Sequence, residues 1–261
     1  MADLQPNEIE RAIESPEFPL EGPTTIFVKK GRSALIVKAC LRLSDCETWT
    51  AYKRFGSRNW IRRLARGLQT HRATRSFHLG HELLRRGIAT ARPLLAVSPP
   101  WRAFLRPGYL ATEWLEGAVP IDAFLRTTAG LRPARQRKIL RETADCVGRI
   151  VGTLHARGFA HRDLKATNLL VRDRSGRIEV FVIDLDGAAT PWLLTRRTRM
   201  NNLARLVDAT EGLGAMTHAL RRRALSAYLA SVPDPAPWKA VWRELQEISR
   251  IRRARWTARG R

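Results

Sequence analysis

Cysteine is scarce. The chain has three in 261 residues, Cys40, Cys46 and Cys146. An odd number without paired metal spacing argues against a disulfide framework and for reduced thiols in a cytosolic setting. No stretch approaches the roughly 20 apolar residues of a spanning helix. The first residues are acidic and carry no apolar run, so no secretory leader is expected. Any membrane association is therefore expected to be peripheral. Acidic residues are also few: 24 Asp and Glu stand against 47 Lys and Arg, for a formal net charge of +23. Such a surplus implies a large anionic partner, namely nucleic acid, an acidic membrane surface or a polyanionic substrate. Hydrophobic residues make up 44% of the chain, enough for an ordinary buried core.

Against these absences stands the run His161-Arg162-Asp163-Leu164-Lys165-Ala166-Thr167-Asn168. A strand, Leu169–Val171, follows, and a second ends at Ile183-Asp184-Leu185-Asp186-Gly187. The run resembles the H-R-D-L-x-x-x-N catalytic loop of protein-kinase-like enzymes at full spacing. The resemblance implies phosphoryl transfer, which needs an acceptor hydroxyl in line with a γ-phosphate and metal ions to neutralise charge. On that resemblance Asp163 would take the hydroxyl proton. Asn168 would hold a magnesium ion through its side-chain oxygen, and Lys165 would meet the γ-phosphate. Asp184 would be the second metal ligand. Two departures matter. Leu185 and Asp186 stand where such kinases carry Phe and Gly, and no Ala-Pro-Glu segment follows. The activation segment of a peptide-phosphorylating kinase is thus missing or very short.

The length suits one α+β, two-lobed protein-kinase-like unit, with a small β-rich N-lobe and a helical C-lobe. Residues 1–23 are acidic and Pro-punctuated. They suggest a mobile arm with a short helix near Glu8–Glu14, either solvated or shielding a basic surface of the rest of the chain. The N-lobe is expected over 24–115, beginning with strands Thr24–Val28, Ala34–Leu41 and Thr48–Phe55. The turn around Gly31 occupies the place of a phosphate-covering loop, with one glycine rather than three. Its backbone and the Ser33 hydroxyl are candidate phosphate contacts. Alternation puts Ala51 and Lys53 on one strand face, a small residue over adenine and a lysine for the phosphates. The next acid, Glu82, lies in a helical segment, Ser76–Arg86, and is the expected ion-pair partner of Lys53. Between them, residues 57–69 form a basic amphipathic helix with Arg58, Arg62, Arg63 and Arg66. Such a helix either lies on a membrane or grips an acidic ligand, or packs normally with a solvated Arg face.

Glu113-Trp114-Leu115-Glu116-Gly117 has the form of a kinase hinge. The backbones of Glu113 and Leu115 would meet the adenine edge, and Leu170 would floor the pocket. A C-lobe is expected over 116–232, with a long helix Pro133–Arg157 closed by Gly158. Residues 233–261 form a terminal helix and basic tail. His155 suits a capping or core position, and His161 the organisation of its loop.

Several segments together resemble the bacterial lipopolysaccharide kinase family, which includes 3-deoxy-manno-octulosonic acid (Kdo) and heptose kinases. The marks are Tyr52-Lys53-Arg54-Phe55 followed by a basic insertion, Arg85-Arg86-Gly87-Ile88-Ala89-Thr90-Ala91-Arg92-Pro93, Ile183–Gly187, and Asn202-Leu203-Ala204-Arg205-Leu206. The resemblance implies ATP and Mg²⁺ as cofactors and a membrane-linked sugar hydroxyl as acceptor. It also implies a peripheral position on the cytoplasmic face of the cell membrane. An anionic membrane surface is the expected partner, met through Arg58, Arg62, Arg63, Arg66 and the C-terminal Arg cluster. No nucleic-acid partner is expected. The acceptor sugar and the oligomeric state stay open. Two other readings remain. A Ser/Thr protein kinase is favoured by Lys165 and opposed by the absent Ala-Pro-Glu. A non-catalytic nucleotide or polyanion binder is permitted by the charge and opposed by the intact set Lys53, Glu82, Asp163, Asn168 and Asp184.

Overall fold

The computed structural model describes residues 8–31, 34–43, 46–56, 71–99, 106–190, 194–233 and 235–258. Ser33, the expected basic helix 57–69 and the arginines at 259 and 261 lie outside the described residues. The chain forms two compact units, Met1–Leu84 with Ala91–Glu116, and Arg85–Thr90 with Gly117–Arg261.

The first unit is built on an antiparallel sheet. Its strands are β1 (Ile26–Lys30), β2 (Ala34–Leu43), β3 (Cys46–Phe55), β4 (Pro93–Val97) and β5 (Gly108–Glu113), in the order β1-β2-β3-β5-β4. Strand alternation separates two faces. Val37, Ala39, Leu41, Tyr52, Tyr109 and Ala111 form one core with Leu20. Phe55 and Leu110 form another with Ala73 of the helix α3 (Arg72–Arg85). Lys53 and Ala51 have the parity of Phe55, so the face that carries them is the one α3 covers. α3 starts four residues before the expected Ser76. The cap is His71, whose Nδ1 accepts from the Ala73 N–H at 3.1 Å and whose carbonyl accepts from Arg75. Gly108 makes room for it: a Cβ there would stand 2.0 Å from the His71 ring.

The expected solvated arm is corrected. Residues 8–21 form two short helices, α1 (Glu8–Glu14) and α2 (Phe18–Glu21). They cover the Tyr52 face of the sheet, with Ala12 and Leu20 buried. Tyr52 donates to the Pro16 carbonyl at 2.9 Å, Tyr109 donates to Glu17, and Arg54 pairs with Glu17 at 2.9 Å. Buried phenols need acceptors, and the acidic segment supplies them.

The second unit is mainly helical: α4 (Ile121–Thr127), α5 (Pro133–Ala156), α6 (Arg196–Thr210), α7 (His218–Leu229) and α8 (Trp238–Thr257). Short strands β6 (Val119–Pro120), β8 (Leu169–Arg174) and β9 (Arg177–Val182) pair in the order β6-β8-β9, and β7 (Ala160–His161) pairs with β10 (Ala188–Ala189). α5 and α7 run side by side because Gly148 and Gly152 let the backbones meet. A Cβ on Gly148 would lie 2.2 Å from the Ala224 carbonyl oxygen, and one on Gly152 would lie 2.5 Å from the Ser231 Cβ. Residues of Arg85–Thr90 belong here: Val182 donates to the Ala89 carbonyl and Thr90 Oγ1 donates to the Val182 carbonyl at 2.6 Å. Three of the four described C-terminal arginines are tied to acids, Arg252 to Asp208 at 3.2 Å, Arg253 to Glu211 and Arg250 to Glu247 at 2.7 Å, while Arg255 is exposed. A free Arg cluster at this end is therefore not what the described residues show.

Candidate active site

In the second unit α5 ends on a left-handed glycine, Gly158 at φ +81°, while Phe159 donates back to the Leu154 carbonyl. That turn delivers the chain into β7 and the His161–Asn168 loop. β10 fixes the loop from its other side, with His161 opposite Ala188 and the Arg162 N–H bonded to the Gly187 carbonyl at 2.7 Å. Gly187 packs against the loop so closely that a Cβ would meet His161 Cε1 at 3.3 Å and the Asp163 backbone N at 3.4 Å.

Three of the expected site residues come together here. Lys165 Nζ lies 2.8 Å from Asp163 Oδ2. Asn168 donates its Nδ2–H to the Asp163 carbonyl at 2.9 Å, with Asp163 Oδ2 3.4 Å away. This amide orientation is set by its acceptors and leaves Oδ1 as the end that can ligate. The Ile183 N–H bonds the Asn168 carbonyl at 3.0 Å, placing Asp184 directly after a residue anchored on the loop. Asp184 has left-handed backbone angles, φ 59° and ψ 53°. An aspartate tolerates this region better than most residues, at some cost in strain. Leu170 sits in β8 opposite Phe181 of β9 and Pro120 of β6.

Burial pushes the Asp163 carboxyl up, but the Lys165 ammonium, with His161 and Arg205 nearby, outweighs it and holds the group below the ordinary carboxylate value. His161 is fully buried. Its Nε2–H donates to the Ile183 carbonyl at 3.1 Å, and its Nδ1 is buried with no hydrogen-bond partner. Burial lowers its pKa, which keeps the ring neutral.

Behind the loop lies a network that the motif gives no hint of. Asn202 of α6 accepts the His161 backbone N–H at 2.9 Å through Oδ1. The same oxygen is 3.3 Å from Nε2 of His155, whose Nδ1 is 3.0 Å from the Tyr228 hydroxyl of α7. Since Asn Oδ1 only accepts, His155 donates from Nε2 and accepts the Tyr228 proton at Nδ1. Burial pushes His155 down to about 4 and Tyr228 up to about 12. Three helices are thereby bonded in series to the His161–Asn168 loop. The sequence offers one signal for this, the pair Asn201-Asn202 beside the apolar positions of α6.

In the first unit Lys53 projects from β3 with its ammonium 4.8 Å above the Phe55 ring. Ala51 pairs with Thr112 of β5 and Lys38 of β2. Glu82 is half-buried on α3, one residue before the buried Leu83. The Glu113 N–H is taken by the Arg92 carbonyl at 2.9 Å, and its side chain accepts the Arg92 N–H at 3.0 Å. Any backbone bond from Glu113 to a ligand is therefore through its carbonyl. Leu115 is buried. The Gly31 N–H closes its own turn onto the Ala34 carbonyl at 3.0 Å, so this group is not a phosphate donor as expected.

Magnesium commonly takes one or two carboxylates and completes its shell with water and substrate phosphates. The Oδ1 of Asn168 and the Asp184 carboxylate fit that pattern. Among the described residues no group of three or more His, Cys, Asp or Glu side chains could hold a metal ion by itself.

Comparison with known proteins agrees with this architecture. A 3-deoxy-D-manno-octulosonic acid kinase of Pasteurella multocida (strain Pm70) is 31% identical over 140 residues, 53% of each chain. One of Haemophilus influenzae (strain 86-028NP) is 27% identical over 120 residues, 46% of each chain. The matches thus span about half the length of these curated relatives. A solved structure described as WaaP in complex with acyl carrier protein superposes with a TM-score of 0.62 at 20% identity, over 96% of this chain and 94% of that one. At that identity the match shows the fold, which is protein-kinase-like. The model of the lipopolysaccharide kinase (Kdo/WaaP) family matches residues 29–228, from the sheet of the first unit through α7. On that span, the chain belongs to the lipopolysaccharide kinase (Kdo/WaaP) family.

Proposed function

We propose that this protein transfers the γ-phosphate of ATP to a sugar hydroxyl of a lipopolysaccharide core or a similar membrane-presented glycolipid. The observation that carries this is the bonded cluster Asp163–Lys165–Asn168, held from behind by Gly187 and Asn202. Asp163 orients the acceptor hydroxyl and takes its proton as the bond to the γ-phosphorus forms and the bond from that phosphorus to the leaving ADP oxygen breaks. Its lowered pKa suits a group that stays ionised and accepts the proton late. Lys165, paired with Asp163 here, turns to the γ-phosphate when ATP is present and stabilises the charge that develops there. Asn168 and Asp184 would hold Mg²⁺, which when bound neutralises the phosphate oxygens. Lys53, positioned by Glu82, would hold the α- and β-phosphates. Ala51, Leu170, the Glu113 carbonyl and the Leu115 backbone would enclose adenine. The His161 ring stays neutral and structural, since its Nε2–H is spent on the Ile183 carbonyl.

Transfer of labelled phosphate from ATP is measured with a core-oligosaccharide lipid and with a generic peptide as acceptors. Label is expected in the lipid. An Asp163→Asn variant is expected to lose roughly 10²–10⁴-fold in turnover while still binding ATP. Label in the peptide alone, or near-normal turnover by Asp163→Asn, would overturn the assignment.

A further inference from the structure

Several described arginines of the second unit pair with an acid. Arg126 pairs with Asp122, Arg172 with Glu179, Arg196 with Glu244 and Arg223 with Asp145. The N-terminal half of α5 departs from this. Arg137, Lys138 and Arg141 line an open groove of about 370 Å³ with Arg223 of α7. Arg141 and Arg223 continue into a second groove of about 600 Å³ that adds Arg222.

Two acids line these grooves, and both are spent. Asp145 takes Arg223 at 2.6 Å. Glu142 accepts the Ile178 backbone N–H at 3.1 Å. Arg137, Lys138 and Arg141 therefore have no carboxylate partner among the described residues. Arg137 and Arg141 are also i, i+4 on one helix, a like-charge spacing that weakens it. Arg222 lies 4.7 Å above the Trp238 ring at the start of α8. The result is one connected face, all within this unit, with five cations and an indole beside it.

We propose that this α5/α7 face docks the protein on an anionic bilayer by binding headgroup phosphates. The proposal rests on the reading above that the acceptor is presented by a membrane. Guanidinium groups match phosphate in two-point geometry, and an indole beside them suits the headgroup level, where Trp is enriched. Among the described residues the groove linings carry no aromatic side chain, so a run of stacked bases would find at most the single Trp238 beside them.

The full chain is sedimented with vesicles of mixed phosphatidylglycerol and phosphatidylcholine, and with phosphatidylcholine alone, at physiological salt. Binding is expected only to the mixed vesicles. Each basic residue near such a surface is worth about a fivefold change in partitioning. The variant Arg137→Gln, Lys138→Gln, Arg141→Gln, Arg222→Gln should then lose on the order of 10²-fold or more. A control that changes Arg174, Arg177, Arg243 and Arg255 to Gln removes the same charge from other exposed positions and should lose far less. If the fourfold groove variant melts early, the pair Arg137→Gln and Arg141→Gln gives the same test at about 25-fold. The proposal fails if the groove variant sediments like the parent, or if both variants lose binding equally. It also fails if duplex DNA displaces the vesicles at equal phosphate. Transfer to a soluble, deacylated core oligosaccharide separates the two ideas. The groove variant should match the parent there, and a parent inactive on every sugar would remove the acceptor reading, whatever the vesicles show.

Discussion

At the scale of single residues, the loop's chemistry turns on one ion pair. The Lys165 ammonium, 2.8 Å away, is the leading influence holding Asp163 below the ordinary carboxylate value against a burial that pushes it up. Lys165→Met removes the influence that lowers the pKa and leaves the one that raises it. The acid limb of the kcat/KM profile is expected to move to higher pH, because that limb reports the essential base of the free enzyme. An unmoved limb, whatever the loss in rate, would mean that Asp163 is not the group titrating. His155 gives a stability prediction of definite sign. Its pKa is about 4 folded against 6.5 for an ordinary histidine. The unfolded chain takes up that proton first as pH falls. The contribution is complete above pH 6.5 and drains as pH drops toward 4, by on the order of 2 kcal/mol between pH 7 and pH 5. His161, lowered by its own burial, acts in the same direction. Urea unfolding at the two pH values should show a smaller difference for His155→Gln than for the parent, and an equal difference would sink the assignment. The sequence displays Asp163, Lys165, Asn168 and Asp184 because they sit at fixed spacing in one stretch. The bonds from Asn202, His155 and Tyr228 join residues up to 73 apart, and no local spacing records them.

At the scale of elements, the strands and helices were largely legible because their apolar periodicity is strong. Misplacements arose where a cap or a cover came from an unusual residue. His71 caps α3 in place of a Ser, Thr, Asp or Asn, and so moves its start. The acidic segment is ordered by two tyrosines and Arg54 of the sheet, partners more than 30 residues away that its own composition does not announce. The α5–α7 contact depends on two glycines in a helix, which the periodicity treats as weak points. Two effects compete in Gly148→Ala. Alanine's helix propensity favours the change by about 1 kcal/mol. The new Cβ would lie 2.2 Å from a backbone oxygen and 2.7 Å from the Ala227 Cβ. Backbone yields less readily than a side-chain tip, and such overpacking typically costs 1–3 kcal/mol or more. Net destabilisation on the order of 1–2 kcal/mol is expected by denaturant titration. Gly130→Ala, which has nothing within 4 Å of its Cβ position, should be close to neutral. If the two variants unfold alike, the close approach is not what sets the helix pair.

At the scale of the whole molecule, the net charge of +23 sets two electrostatic effects against each other. Cross-helix pairs such as Arg196–Glu244, Asp145–Arg223 and Asp208–Arg252 stabilise the second unit. They are partly exposed, and such pairs contribute about 0–1 kcal/mol each. The unpaired cations repel one another over longer distances and destabilise the compact state. Salt distinguishes the two by range. The Debye length falls from about 30 Å at 0.01 M to about 8 Å at 0.15 M. Repulsion between side chains more than a few turns apart is lost over that interval, while contacts near 3 Å are weakened much less. The melting temperature is therefore expected to rise from low to physiological salt. The groove variant, with four fewer cations crowded on one face, should show a smaller rise than the parent. A melting temperature that falls over the same interval would mean that the ion pairs dominate. The positive surplus would then carry no folding cost for an anionic surface to relieve. A rise means that the protein holds its charge against its own stability, a cost that any anionic surface binding the folded form would relieve.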